Sequence, residues 1–396
     1  MKMIETGKGY ITLWALLGIW SVSALTSLPG LAISPISEKL SFIFPAATEL
    51  EIQLLTTLPS LLIIPFILLA GYISEKVGYI RLLYTGLALF LLCGALYFVC
   101  QSMVQLIVVS ALLGVGAGII IPLSTALVSK FFYGEERTRQ FGYVSAITNI
   151  ALVAATAVTG WLADIQWRLP FLVYLLPFFS LLLVPSLKAE GRKSDGGGGS
   201  SADVQQHGTV KYAALFKYML YYLLITCLVM VVSINMPFLL ASMGYDSSVD
   251  GVVTALFFLA MMLPGLFINR ILSALKGWVL LFSLLLIALG LLNICMYDSL
   301  LFVIVGCIAT GFGYGIAQPY IYDVTASLAT ASKVAYAMAL VMVMNYVAIV
   351  ISPFVTEFLQ HLAGVKNETF PFLANSVIAF AAMMFIALRR MVKRTA

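Results

Sequence analysis

The sequence predicts an all-α membrane protein of twelve transmembrane helices in two pseudo-symmetric six-helix bundles. Three observations carry this prediction. Hydrophobic residues make up 62% of the 396-residue chain and charged residues only 10%, where a soluble domain carries about 25% charged residues; mean hydropathy is +1.05. Apolar runs long enough to cross a bilayer, about 20 residues each, recur along the whole chain. The pattern Gly-x-Gly-x-Gly-x₃-Pro occurs twice, as Gly114, Gly116, Gly118, Pro122 and as Gly311, Gly313, Gly315, Pro319.

The expected spans lie near 10–33, 51–73, 80–100, 104–127, 141–163 and 168–187, then 213–242, 249–269, 277–297, 299–323, 334–358 and 370–388. They form bundles over 1–187 and 213–396, joined by a polar, glycine-rich linker at 188–212 that reads as a flexible connector. Pro65 and Gly78 of the first half answer to Pro264 and Gly277, and Asn149 answers to Asn345. A chain that repeats its helix-packing residues at half its length places a substrate site between the halves, near the bilayer midplane. Small residues at every second position let helix backbones approach closely in lipid. The two glycine triplets therefore read as packing surfaces, since neither is followed by the Lys-Ser/Thr of a nucleotide loop. Pro122 and Pro319 are expected to bend their helices.

Basic residues orient the chain. With both termini cytoplasmic, 19 of the 22 Lys and Arg lie inside, all but Lys39, Arg168 and Lys366; this bias sets topology. The net charge of +5 then reflects orientation, and no nucleic-acid partner is expected. Cys93, Cys100, Cys227, Cys295 and Cys307 sit in or beside the apolar runs and read as free core thiols. His207 and His361 have no clustered ligands for a metal. No nucleophile elbow or phosphate loop is present, so an enzyme is not expected. Asn367-Glu368-Thr369 fits a glycosylation sequon.

Between spans two and three stands Gly71-Tyr72-Ile73-Ser74-Glu75-Lys76-Val77-Gly78-Tyr79-Ile80-Arg81. This loop resembles the signature of the major facilitator superfamily, with Gly71, Glu75, Lys76 and Gly78 in place, Glu where Asp is usual, and Arg81 just beyond the missing basic pair. The resemblance implies a gating loop formed by Gly71, Glu75, Lys76, Gly78 and Arg81. A second stretch from Phe141 through Asn149, Gly160 and Asp164 to Trp167-Arg168-Leu169-Pro170-Phe171 is similar to the drug:proton antiporter branch. Two departures weaken antiport: Ala155-Thr156 replaces the branch's Gly-Pro pair, and Ser110 occupies the position of its span-four arginine.

Charges at membrane depth are costly and mark function. Asp323 is the acid placed within a span, amid Gln318, Tyr320 and Tyr322, with Glu51 and Glu357 near outer ends; these three are the coupling candidates. The other reading of Asp323 is a helix-end acid paired with a loop base. Asn149, Asn235, Tyr314, Gln318, Asn345 and Tyr346 are the candidate cavity lining, though each amide could instead tie helices together. Asn149 and Asn345 are expected to face the cavity together or not at all.

The function so predicted is secondary active transport of a small, mostly apolar organic compound across the plasma membrane by alternating access. Export with proton coupling is what the resemblance implies. Uptake or facilitated exchange of a small metabolite, and a non-transporting membrane sensor or scaffold, are the alternatives. No cofactor beyond a proton or other coupling ion is expected. The expected partners are a small-molecule substrate and the lipid bilayer, with the protein a monomer.

Overall fold

In the computed structural model, residues 3–7, 9–33, 36–45, 47–196, 212–296, 299–330, 333–365 and 367–395 are described. Eleven helical segments among them are long and apolar enough to cross a membrane. A short antiparallel hairpin precedes them, β1 (Met3–Glu5) and β2 (Tyr10–Thr12), paired Met3 to Thr12 and Glu5 to Tyr10. The Tyr133 N–H donates to the Thr6 carbonyl at 2.9 Å and anchors this hairpin.

The first expected span, 10–33, is cut short. Helix α1 runs only Leu13–Leu25, capped by Thr12, whose hydroxyl accepts from the Ala15 N–H. It stops because Thr26-Ser27-Leu28-Pro29-Gly30 follows: proline disfavours helix at the residue before it, and Gly30 takes φ 78°, a left-handed conformation. Leu28, Ala32 and Ile33 nevertheless stay buried. A short helix α2 (Ser37–Ile43) lies in the next loop.

The remaining spans are regular: α3 (Glu49–Val77), α4 (Tyr79–Leu96), α5 (Met103–Phe131), α6 (Gly134–Ile165) and α7 (Pro177–Gly196). A 3₁₀ turn at Leu169–Leu175 leads into α7. Helices α8 (Tyr212–Ser242) and α9 (Ser247–Leu266) follow, then a short α10 (Ile268–Leu275), α11 (Val279–Met296), α12 (Leu300–Leu328), α13 (Val334–Ala363) and α14 (Phe370–Thr395). Helix α7 continues to Gly196, so the expected linker at 188–212 begins as helix; residues 197–211 lie outside the described residues.

Packing divides the chain into two units. One comprises Met1–Gln140, Ile150–Leu215 and Asp323–Val343; the other comprises Phe141–Asn149, Phe216–Tyr322 and Met344–Ala396. In the first, α3 pairs extensively with α5. A methyl on Gly114 would lie 2.6 Å from the Pro59 backbone, and one on Gly118 3.0 Å from the Ile63 carbonyl, both on α3; Gly116 meets Phe90 of α4 at 3.1 Å. The second unit repeats this scheme. Gly311 and Gly315 meet Phe257 and Met261 of α9, and Gly313 meets Ser283 of α11. Alternate glycines thus serve two neighbouring helices in each copy, and a side chain at any of them would push backbones apart.

The repeat is imperfect at its loops. Helix α3 runs 29 residues through Pro65 to Val77 and ends at Gly78, φ 90°. Its counterpart breaks after Pro264, and the left-handed residue there is Lys276, φ 49°, immediately before Gly277. A glycine adopts such a φ without steric cost and a lysine does not, so the two loops are built differently.

Candidate functional site

The second unit holds a buried polar cluster. The Gln318 side chain on α12 points its amide hydrogens at three phenol oxygens, Tyr222 at 3.1 Å and Tyr314 and Tyr322 each at 3.4 Å. Its carbonyl oxygen accepts from the Ser145 hydroxyl at 2.8 Å. Two amide hydrogens cannot fully satisfy three acceptors; the phenols complete their bonding with one another. Tyr222 and Tyr322 hydroxyls lie 2.8 Å apart, and Tyr222 and Tyr314 3.3 Å. The Asn345 carbonyl oxygen accepts from Tyr314 at 3.1 Å and from Thr226 at 3.3 Å.

Positions 314, 318 and 322 recur every four residues and so line one face of α12. Tyr222 and Thr226 keep the same spacing on α8, and Ser145 comes from the early part of α6. Gln318, Tyr314 and Asn345, all expected to line a cavity, are therefore brought together. Tyr346 is half-buried beside them. The Asn345 amide nitrogen and the Tyr346 hydroxyl make no protein hydrogen bond among the described residues. No charged side chain joins the hydrogen bonds of this cluster among the described residues.

Asn149 and Asn235 behave differently. Each donates to a carbonyl of its own helix, Asn149 to Ser145 at 2.8 Å and Asn235 to Val231 at 3.2 Å. The two repeat-related amides bond differently: one closes a local turn while the other bonds across helices.

Asp323 has a partner. The Arg137 Nε donates to its carboxylate at 2.8 Å, and Arg137 Nη2 reaches its backbone carbonyl at 3.4 Å. Both side chains are about four-fifths buried, at 18% and 21% exposed. Arg137 belongs to α6, which begins at Gly134, seven residues earlier than the span expected from hydropathy, with Glu135 and Glu136 in its first turn. Glu51 is occupied structurally: its carboxylate accepts from the Thr48 N–H at 2.8 Å in a reciprocal capping box that starts α3. Glu357 is exposed on α13.

The expected gating loop is mostly helix: Gly71, Glu75 and Lys76 lie in the last turns of α3 and Arg81 in the first turn of α4, so that Gly78 alone forms the turn between them. Gly71 packs against α13, where a methyl on it would stand 2.6 Å from the Ala339 Cβ. Glu75 and Arg81 are exposed and have no ion-pair partner among the described residues, while Lys76 lies over the Tyr72 ring at 4.6 Å. Ser110 is fully buried and bonds the Tyr97 hydroxyl at 2.6 Å. Tyr97 in turn stacks on Phe171, ring centres 4.2 Å apart. Ser110 is thus sealed behind an aromatic pair, Tyr97 and Phe171.

The first unit also carries an open apolar groove of about 550 Å³, lined by Leu25, Ala151, Ala155, Val158, Leu176 and Phe179 among others, of which Val158, Leu176 and Phe179 are exposed.

The family pattern of the Major Facilitator Superfamily matches residues 15–246 and again 218–396. The chain belongs to that superfamily. It is similar to the multidrug transporter protein MdtP of Bacillus subtilis (strain 168), 26% identical over 129 residues, covering 32% of this chain and 24% of MdtP. It is also similar to the quinolone resistance protein NorA of Staphylococcus aureus (strain Mu50 / ATCC 700699), 27% identical over 114 residues, 29% of each chain. The chain thus aligns with less than a third of either relative. Its fold matches the proton:xylose symporter XylE, bound to 6-bromo-6-deoxy-D-glucose, at TM-score 0.75 with 13% identity over 94% of both chains. It matches the human organic anion transporter MFSD10 (TETRAN) at TM-score 0.70 with 17% identity, over 94% of this chain and 96% of that one. The protein is therefore an integral membrane protein with this superfamily's fold.

Tyr222, Thr226, Ser145 and Arg137 were not singled out by sequence. Tyr222 stands 96 residues from Gln318, and the available hint was a run of tyrosines, Tyr218, Tyr221 and Tyr222, inside an apolar span. Arg137 looked like one more cytoplasmic base.

Proposed function

We propose that the protein exports small, mostly apolar organic compounds across the plasma membrane by alternating access, with bundles 1–187 and 213–396 as its moving bodies. The observation that carries this reading is the uncharged cluster around Gln318, with the Asn345 amide and the Tyr346 phenol left to a ligand. A charged cargo would bury its ion without a counter-charge there, at a cost of several kcal/mol; a neutral compound with one or two hydrogen-bonding groups would not. The local resemblance to MdtP and NorA supports export. The positive bias of the basic residues supports cytoplasmic termini, and the α3–α4 junction at Gly71, Glu75, Lys76, Gly78 and Arg81 is the proposed gate.

The proposed site of proton coupling is Asp323. Protonating its carboxylate removes the charge that holds the Arg137 guanidinium, so proton uptake would loosen one of the ties between α6 and α12 while the Ser145–Gln318 bond remains. The second reading is facilitated transport without a proton, and the sealed Tyr97–Ser110 pair favours it. Purified protein in liposomes decides between them: efflux of an uncharged fluorescent dye should accelerate when a pH gradient is imposed. Dye flux that ignores the gradient would select facilitation, and no protein-dependent flux of any uncharged dye would overturn the export reading.

A further inference from the structure

A separate cleft in the second unit has the opposite character to the tyrosine–glutamine cluster. It encloses about 280 Å³ among α8, α11, α12 and α14, below the range of organic-ligand pockets. Lys217 and Arg389 stand at its rim, both exposed, and no acid pairs with either among the described residues. Tyr218, Tyr221 and Tyr320 form its aromatic wall. The Lys217 ammonium lies 5.2 Å from the Tyr221 ring centre and 5.7 Å from that of Tyr218, and Tyr218 packs edge-on against Tyr320. Gly277, just before the N-terminus of α11, also lines it; helix N-termini favour anions.

Position narrows the ligand. Lys217 lies near the start of α8 and Arg389 near the end of α14, so the cleft sits where apolar helix meets water. Tyrosine prefers that depth. Arg389 also opens a basic tail, Arg389-Arg390-Met391-Val392-Lys393-Arg394, and such clusters next to a membrane span attract anionic lipid surfaces. The apolar floor of Leu280, Leu281 and Ile386 suits a glycerol backbone and the first acyl carbons.

We infer that this cleft binds the phosphate of an anionic phospholipid head group, with Lys217 and Arg389 neutralising its charge and the tyrosine hydroxyls at its rim. The leaflet follows from the cytoplasmic placement of the tail proposed above; the chemistry of the cleft is independent of it and of the transported compound.

The test uses full-length protein in mixed micelles, titrated with phosphatidylglycerol, with phosphatidylcholine, or with inorganic phosphate, and followed by native mass spectrometry and melting temperature. Two basic groups near a lipid phosphate correspond to roughly a thirtyfold preference for phosphatidylglycerol over phosphatidylcholine. Lys217→Gln/Arg389→Gln should reduce that preference several-fold, while Arg139→Gln/Arg270→Gln, which removes equal charge elsewhere, should leave it. Equal loss in both double variants would reduce the effect to general surface charge and overturn the site. Inorganic phosphate stabilising the protein as well as phosphatidylglycerol would reassign the cleft to a soluble anion and overturn the lipid. If Lys217→Gln/Arg389→Gln fails to fold, Tyr218→Phe/Tyr221→Phe keeps both charges and should still weaken lipid binding a few-fold; an unchanged affinity there would refute the cleft.

Discussion

The Arg137–Asp323 pair makes the most demanding prediction. At the effective dielectric of a partly exposed site, opposite charges about 4 Å apart attract by about 4 kcal/mol before desolvation and side-chain entropy are subtracted. With about a fifth of each side chain still exposed, most of that is offset, and a net coupling of about 1 kcal/mol remains. Asp323→Asn should cost about 1 kcal/mol, because an amide still accepts from the guanidinium. Arg137→Ala should cost more, about 2 kcal/mol, because it leaves a part-buried carboxylate without its counter-charge. The double variant should be less damaged than the two losses added. For a chain of 396 residues, 1 kcal/mol moves the melting temperature by roughly 1–2 °C, so melting is measured on all four proteins in one detergent. Coupling should shrink in 1 M salt, where the Debye length falls to about 3 Å. On the same preparations, Asp323→Asn should keep dye flux but lose its response to a pH gradient. Additive losses with no salt dependence would refute the pair as an interaction, and an intact gradient response in Asp323→Asn would remove it from proton coupling.

Gly114→Leu and Gly315→Leu should each abolish the folded, monodisperse protein by driving α5 from α3 or α12 from α9, whereas Gly160→Leu, with nothing within 4 Å, should express normally; size-exclusion profiles check all three. Gly78→Ala meets no neighbour within 4 Å, so its cost is the strain of φ 90° alone, about 1–2 kcal/mol, seen as a few degrees of melting temperature at most. Ser110→Arg places a guanidinium where Ser110 and Tyr97 are fully buried and should prevent folding, while Tyr97→Phe should cost about 1–3 kcal/mol. Burial pushes the Cys100 thiol above its ordinary value, with the Arg168 charge pulling the other way. The thiol therefore stays protonated at neutral pH, and its alkylation should be slow there and rise steadily as pH increases.

What was legible in the sequence is what hydropathy and spacing encode locally. Eleven of the twelve expected spans follow from runs whose length matches a bilayer, because in lipid a helix must satisfy its own backbone and the signal is one-dimensional. The twin glycine triplets were equally readable: a glycine reports close backbone approach whatever the partner helix is. The stretch Gly71–Gly78 was expected to be a loop, yet the helix runs on to Val77 and Gly78 alone makes the turn. The first span exposed the limit of averaging, since Pro29 and Gly30 end α1 inside an apolar run.

Tertiary structure decided everything that depends on which faces meet. Gln318 became a hub because α8 and α6 bring Tyr222 and Ser145 to its face, residues 96 and 173 positions away. Asp323, isolated by sequence, lies against an arginine 186 residues earlier. Asn149 and Asn345 match in the repeat yet part company, because an amide bonds the nearest available group, its own helix for one and a tyrosine across helices for the other. Membrane insertion is dictated by composition along the chain; chemistry in the site is dictated by pairings across it, and those exist only once the helices have packed.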